Sequence, residues 1–254
     1  MSIVRLGWSL ASFAVSAAFV GLWWWASHSG AVSPVFLPSP VEAWSRLVTG
    51  LTQGGLGLQT LRTVERMVVG WLLASLIGVA LGAAIGVSRR AHAYLVPTLE
   101  FIRPLPASAM VPVAIGLLGL TDGMVLAVIA FGALWPMLLS TIHGFASVEP
   151  RLIELARALG LSRLQVIRKI ALPNAMPDIF IGLRLSLTTS LVLTIVGEML
   201  ASRPGLGQAI QVAGRTFQSA DLFAGVILLG ALGFASATLL ARLERRTLRW
   251  RQSR

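Results

Sequence analysis

Apolar residues gather in six runs along the chain, at 10–26, 67–87, 98–120, 124–145, 179–199 and 222–241. Each approaches the roughly 20 residues that an α-helix needs to cross a bilayer's hydrocarbon core. None shows the strict apolar–polar alternation of a barrel strand. A helix satisfies every backbone polar group within its own segment, as lipid requires. The pattern predicts an all-α membrane protein with about six transmembrane helices. They form one membrane-spanning domain over 1–254, with a first helix at about 10–26 and a core at about 60–245.

The segments between the runs differ in character. In 28–61, Pro34, Pro38 and Pro40 break helix. Residues 41–51 then place apolar side chains at helical spacing and predict a helix lying along the membrane surface. Gly54, Gly55 and Gly57 make a flexible turn. In 201–221, Pro204-Gly205-Leu206-Gly207 predicts a turn. Segment 147–178 is longer and rich in Arg, Leu and Ile. Pro150 can open a helix and Pro173 is expected to interrupt one. Gly160 followed by Leu161 and Ser162 has the form of a helix end and a new N-cap. The expectation is helix, sharp turn, helix. Leu164, Ile167, Ile170 and Ala171 should share one apolar face, with Arg163, Arg168 and Lys169 elsewhere. A short amphipathic pair outside the bilayer needs a partner groove.

Composition agrees: 56% of residues are hydrophobic and 12% charged, against about 25% charged in soluble domains. There is no cysteine, which excludes disulfides, thiolate metal sites and cysteine nucleophiles. His28, His92 and His143 are too scattered for a zinc motif. A net charge of +11 would ordinarily suggest nucleic acid, but the basic residues sit at the ends of apolar runs and speak for orientation in a membrane. With Arg5 inside, alternation puts Arg89, Arg90, Arg151, Arg157, Arg163, Arg168 and Lys169 inside as well. The tail residues Arg242, Arg245, Arg246, Arg249, Arg251 and Arg254 follow. The outside receives Arg46, Arg62, Arg66, Arg203 and Arg215. The inside excess satisfies the positive-inside rule and predicts both termini in the cytoplasm. Trp23, Trp24 and Trp25 suit an outer aromatic belt and Trp250 an inner anchor. Run 10–26 has a second reading as a cleaved signal peptide ending near Ala26-Ser27. The bulky Trp triplet, where a peptidase prefers small residues, favours a retained helix.

Segment 147–178 also carries a pattern: Glu154-Leu155-Ala156, three residues, Gly160, nine residues, Ile170, one residue, Leu172-Pro173. It resembles the EAA loop of permease subunits of binding-protein-dependent ABC importers, with Leu155 where the family has Ala. Pro38-Ser39-Pro40, Arg103-Pro104-Leu105-Pro106, Gly182-Leu183-Arg184, Gly197-Glu198-Met199, Gly205-Leu206-Gly207 and Leu243-Glu244-Arg245-Arg246 are similar, in order, to a branch importing sulfonates, taurine and nitrate. The resemblance implies the type I ABC importer fold in a bacterial inner membrane. The loop would dock in a cleft of a separate ATPase, with Gly160 permitting the turn, Ala156 small enough for tight docking and Glu154 capping or pairing with an arginine. Two ATPase copies, a second permease copy and a periplasmic binding protein are implied as partners. ATP and Mg would sit on the ATPase, since this chain has no G-x-x-x-x-G-K-[ST] and Lys169 is its only lysine. The chain is therefore expected to be no enzyme and to need no cofactor of its own.

Charge and broken helix inside a bilayer mark candidate pathway residues. These are Arg103, Pro104, Pro106, Pro112, Arg184, Thr188 and Glu198, with Thr189 and Ser190 beside them. For the charged ones an ion pair or snorkelling toward the interface is the competing reading; for the hydroxyls, close helix packing. The implied cargo is a small anion such as a sulfonate, taurine or nitrate. An ion-gradient-driven secondary transporter is the alternative, though it gives no reason for the loop pattern and no internal repeat is seen.

Overall fold

Helix is the form these apolar runs take. In the structure, a computed structural model, residues 2–30 and 32–249 are described, without side-chain detail at 2–10 and 12. Trp250, Arg251, Arg254 and the side chain of Arg5 lie outside the described residues. No strand occurs among the described residues. In chain order the helices are α1 (Ser2–His28), α2 (Pro40–Thr52), α3 (Leu56–Val87), α4 (Arg89–Ile102), α5 (Val111–Leu118) and α6 (Asp122–Ala146). There follow α7 (Pro150–Ala158), α8 (Arg163–Val166), α9 (Leu172–Leu200), α10 (Leu206–Arg215) and α11 (Ser219–Thr247). A 3-10 turn, Ala107–Met110, precedes α5 and a π turn, Ile167–Ala171, joins α8 to α9.

Among the described residues, α3, α6, α11 and the continuous Arg163–Leu200 helix are long and apolar enough to span a membrane. The 27 residues of α1 make a helix of about 40 Å, also sufficient. The run at 98–120 is broken, as its prolines lead one to expect. It is a bent pair, α4 against the Ala107–Leu118 helix, at 78°. Pro104 and Pro106 fall in the break, where each removes a backbone donor, while Pro112 sits in the first turn of α5, where its missing N–H costs nothing.

The core is α3, α6 and α9 packed on one another. On α3, Thr63, Met67, Gly70, Ala74, Gly78, Gly82 and Ile85 form the buried stripe, at intervals of three and four residues. The glycines let the helices close up. A β-carbon on Gly70 would lie 2.4 Å from Ile129, and on Gly82 2.6 Å from Thr141. Lipid tails are as apolar as these side chains, so such close packing is what holds membrane helices together. On the other side of α6, Gly182 meets Met137 and Gly197 meets Val125. Peripheral to this core, α11 packs on α9, α10 and α2. The Trp23 indole ties α1 in by donating to Pro38 O at 3.0 Å and stacking on Phe223.

The bundle has two distinguishable ends. One carries the 147–178 segment, the loop end; the other carries Glu198 and α10. The helix expected at 41–51 is α2, which starts at a capping box between Ser39 and Glu42. One expectation fails. Pro173 interrupts nothing: the helix widens into a π turn just before it, where Leu172 N–H bonds to Ile167 O. The wider turn relieves the clash between a proline ring and the preceding turn. The turn expected in 201–221 is present at Pro204-Gly205 and runs into a helix, because Leu206, Ile210 and Ala213 recur at helical spacing and build α10.

Candidate coupling loop and polar clamp

At the loop end the sequence pattern produces two short helices across a tight corner. Pro150 starts α7. Gly160 ends it in the left-handed region, φ +67, which a residue with a β-carbon enters at a cost of about 1–2 kcal/mol. Leu161 N–H then reaches back to Ala156 O at 2.9 Å. Ser162 and Gln165 form a reciprocal capping box that opens α8.

The burial pattern assigns the motif residues different jobs. Ala156 is 1% exposed. Its methyl packs inside this chain, which corrects the expectation that it meets a partner. Leu155 is 56% and Leu159 67% exposed, so the residue that departs from the family pattern points outward, where size is tolerated. Glu154 is exposed and forms no hydrogen bond or ion pair among the described residues, so neither the expected cap nor the arginine pair is present. Ile167 and Ala171 pack on Met137, Phe145, Ala175 and Ile179. Leu164, expected on the same face, is instead 55% exposed. Ile170 is half-buried, and Leu172 and Pro173 are exposed. Leu152, Leu155, Leu159 and Leu164 thus leave an apolar ridge uncovered. Asn174 braces the segment by donating to Gly144 O at 3.1 Å.

The opposite end holds a polar cluster. Glu198 is fully buried, although it belongs to a membrane-crossing helix. Its carboxylate lies 2.9 and 3.0 Å from the Thr63 hydroxyl and accepts from Arg66 Nη1 at 2.9 Å and from Gly207 N–H at 2.9 Å. The same hydroxyl accepts Leu206 N–H at 2.9 Å. Arg66 also donates to Asp122 Oδ1 at 3.0 Å and to Pro204 O at 2.8 Å. Arg203 closes the far side on Asp122. That hydrogen bond, together with the carboxylate's charge, raises the pKa of Arg203. An enclosed carboxylate is costly unless its lone pairs are met, and here they are. A β-carbon on Gly205 would sit 2.3 Å from the Glu198 carboxylate, and one on Gly207 2.5 Å from Ile195 O. Both glycines are needed for the α10 turn to close over the acid.

This corrects the pathway assignment of Glu198: it is a structural clamp joining α3, α9 and the start of α10, with α6 held through Asp122. Arg184 is paired with Glu244, so it links α9 to α11. Arg103, Pro104 and Pro106 lie together, exposed, at the α4–α5 break. Thr188 is exposed on α9 and bonds to Arg184 O at 3.1 Å. Thr63, Arg66, Asp122 and Arg203 went unrecognised as a group. The available signal was the i, i+3 spacing of Thr63 and Arg66 on one helix face.

A sequence profile described as "Binding-protein-dependent transport system inner membrane component" matches residues 47–249. The chain is 32% identical to a putative aliphatic sulfonates transport permease of Bacillus subtilis (strain 168), over 98% of this chain and 90% of that one. It is 29% identical to the taurine transport system permease of Escherichia coli (strain K12), over 94% and 89% of the two chains. It is 31% identical to a bicarbonate transport system permease of Synechococcus elongatus, over 91% and 86%. In fold it is similar to a chain of the MetNI methionine ABC transporter in an inward-facing conformation, with TM-score 0.66 and 22% identity over 75% of this chain and 95% of that one.

Proposed function

Because this chain belongs to the family of binding-protein-dependent transport system inner membrane components, and is thus the multi-pass permease subunit of an ABC importer, we propose that it carries a small anion inward. The cargo is a sulfonate, taurine or a similar oxyanion such as nitrate or bicarbonate, since sulfonate, taurine and bicarbonate permeases are all among its full-length relatives. Two copies of the chain pair in the membrane and two copies of a separate ATPase bind below, holding the ATP and Mg that this chain has no motif for. A periplasmic binding protein delivers the cargo. The ion-gradient alternative finds no support among the relatives.

The observation that carries the coupling role is the uncovered ridge of Leu152, Leu155, Leu159 and Leu164, set beside a Gly160 corner that fixes its shape. An amphipathic helix leaves such a ridge bare when a groove on another protein receives it. Ala156, Gly160 and Ile170 shape the segment behind the ridge, and Glu154, Leu172 and Pro173, exposed on the same segment, belong to the docking surface of this proposal. Arg103, Pro104, Pro106, Arg184 and Thr188 are the residues proposed to border the path. Purification of the tagged chain from its host should recover a Walker-A-bearing subunit in near-equal amount. Disrupting the chain should abolish uptake of radiolabelled sulfonate. Full retention of that uptake would remove the cargo reading, and a chain that purifies alone yet moves solute on an ion gradient would remove the ATP-driven one.

The loop end and both termini face the cytoplasm in this proposal. Three arginines at the Glu198 end are neutralised by carboxylates: Arg46 by Asp221, Arg66 by Glu198 and Asp122, and Arg203 by Asp122. Among the described residues Arg62 and Arg215 have no such partner, but the unpaired basic residues at the loop end, among them Arg89, Arg90, Arg151, Arg157, Arg163, Arg168 and Lys169, outnumber them, which supports the positive-inside assignment. A phosphatase fused after Arg254, active only outside, should stay silent. Enzyme activity from that fusion reverses the orientation.

A further inference from the structure

Arg242, Arg245 and Arg246 lie in the last two turns of α11 and Arg249 just beyond its C-cap Leu248, at spacings of three and four residues that bring all four to one side. The other side is already engaged. Leu240 and Leu248 are buried in a cluster with Phe180 and Leu187, and Glu244 pairs with Arg184. The four guanidiniums line an open concavity of 330 Å³. None of them has an ion pair or hydrogen bond among the described residues. Four like charges gathered on one concavity repel one another. The positive-inside rule asks only that basic residues flank a span, and does not ask them to converge.

Convergence of this kind fits an anion. A guanidinium presents paired donors that match phosphate oxygens two at a time. Leu239 and Leu243, beside the arginines, are exposed, so an apolar strip leads from the charged concavity toward the middle of the helix. Charge at the end of a span with bare apolar surface next to it is the shape of a phospholipid: headgroup, then acyl chain.

We propose that this arginine face is a binding site for a phosphate-bearing anion, supplied by the headgroup of an anionic phospholipid such as phosphatidylglycerol. The site lies in the cytoplasmic leaflet if the orientation proposed above holds; the binding itself does not rest on it.

The test is native mass spectrometry of the full-length transporter in detergent, titrated with phosphatidylglycerol, phosphatidylcholine or inorganic phosphate. Phosphatidylglycerol should be retained about tenfold more tightly than phosphatidylcholine. The variant R242Q/R245Q/R246Q/R249Q should lose that preference. Since removing four orienting charges can impair insertion, R245Q/R249Q is the second variant. It keeps Arg242, Arg246, Arg251 and Arg254 and should weaken phosphatidylglycerol binding about tenfold. Equal retention of the two lipids, or unchanged binding in the double variant, overturns the proposal. Inorganic phosphate displacing the lipid with the same arginine dependence keeps the site and moves its source to a soluble anion. Loss of the ATPase subunit from the variants with lipid binding intact makes the face a protein contact and sinks the proposal. A transporter that copurifies no ATPase refutes the function proposed above and leaves the lipid count readable.

Discussion

Replacing Glu198 by alanine should cost about 3–5 kcal/mol of stability, because it takes one of two carboxylates from the Arg66 guanidinium and leaves buried donors without their acceptor. The loss has several parts. Arg66 keeps Asp122 but loses the oxygen 2.9 Å from its Nη1. The Gly207 N–H and the Thr63 hydroxyl lose an acceptor in a site closed to water. A cavity also opens under Gly205. Glu198→Gln keeps the shape and one carbonyl acceptor, and should fall between wild type and alanine. The measurement is thermal unfolding in detergent, where the alanine variant should melt about 10 °C lower. Gly205→Val should match it, since its side chain would stand where the carboxylate is. Gly116→Ala, whose β-carbon meets nothing within 4 Å, is the neutral comparison. An alanine variant that melts with the wild type would mean the cluster is not holding the bundle end together.

The second large effect belongs to transport. Gly160→Leu should lower solute uptake at least tenfold while the protein remains inserted at its normal level. The two outcomes separate because of the local geometry. A β-carbon at Gly160 meets nothing within 4 Å, so the substitution strains only the backbone, by about 1–2 kcal/mol. That strain falls on the turn that sets α7 against α8, and so on the angle at which Leu155, Leu159 and Leu164 reach a partner. Gly160→Asn, which enters the left-handed region more readily, should retain more uptake. Copurification of the ATPase reports the same defect directly. Normal uptake by the leucine variant would count against the coupling role of this corner.

What the sequence determined by itself is what repeats locally. Runs of about 20 apolar residues dictate helices in lipid, since no other form satisfies the backbone there. The Pro150, Gly160 and Ser162 signals determined the helix–turn–helix, because a proline start, a positive-φ glycine and an N-cap act within a few residues of themselves. The tertiary structure decided everything that depends on a neighbour distant in sequence. Glu198 read as an acid in a membrane, and only the approach of Thr63, Arg66 and Gly207 made it a clamp; the first two are more than 130 residues away. Ala156 and Leu155 are adjacent and both apolar, and it took the packed loop to turn one inward and the other out. Pro173 announced a break by its chemistry, yet a π turn upstream absorbed it, because α9 is held in place by its contacts with α6 and α3. Local signals set which segments are helical; burial and charge pairing, which sum over neighbours from the whole chain, set what each side chain is for.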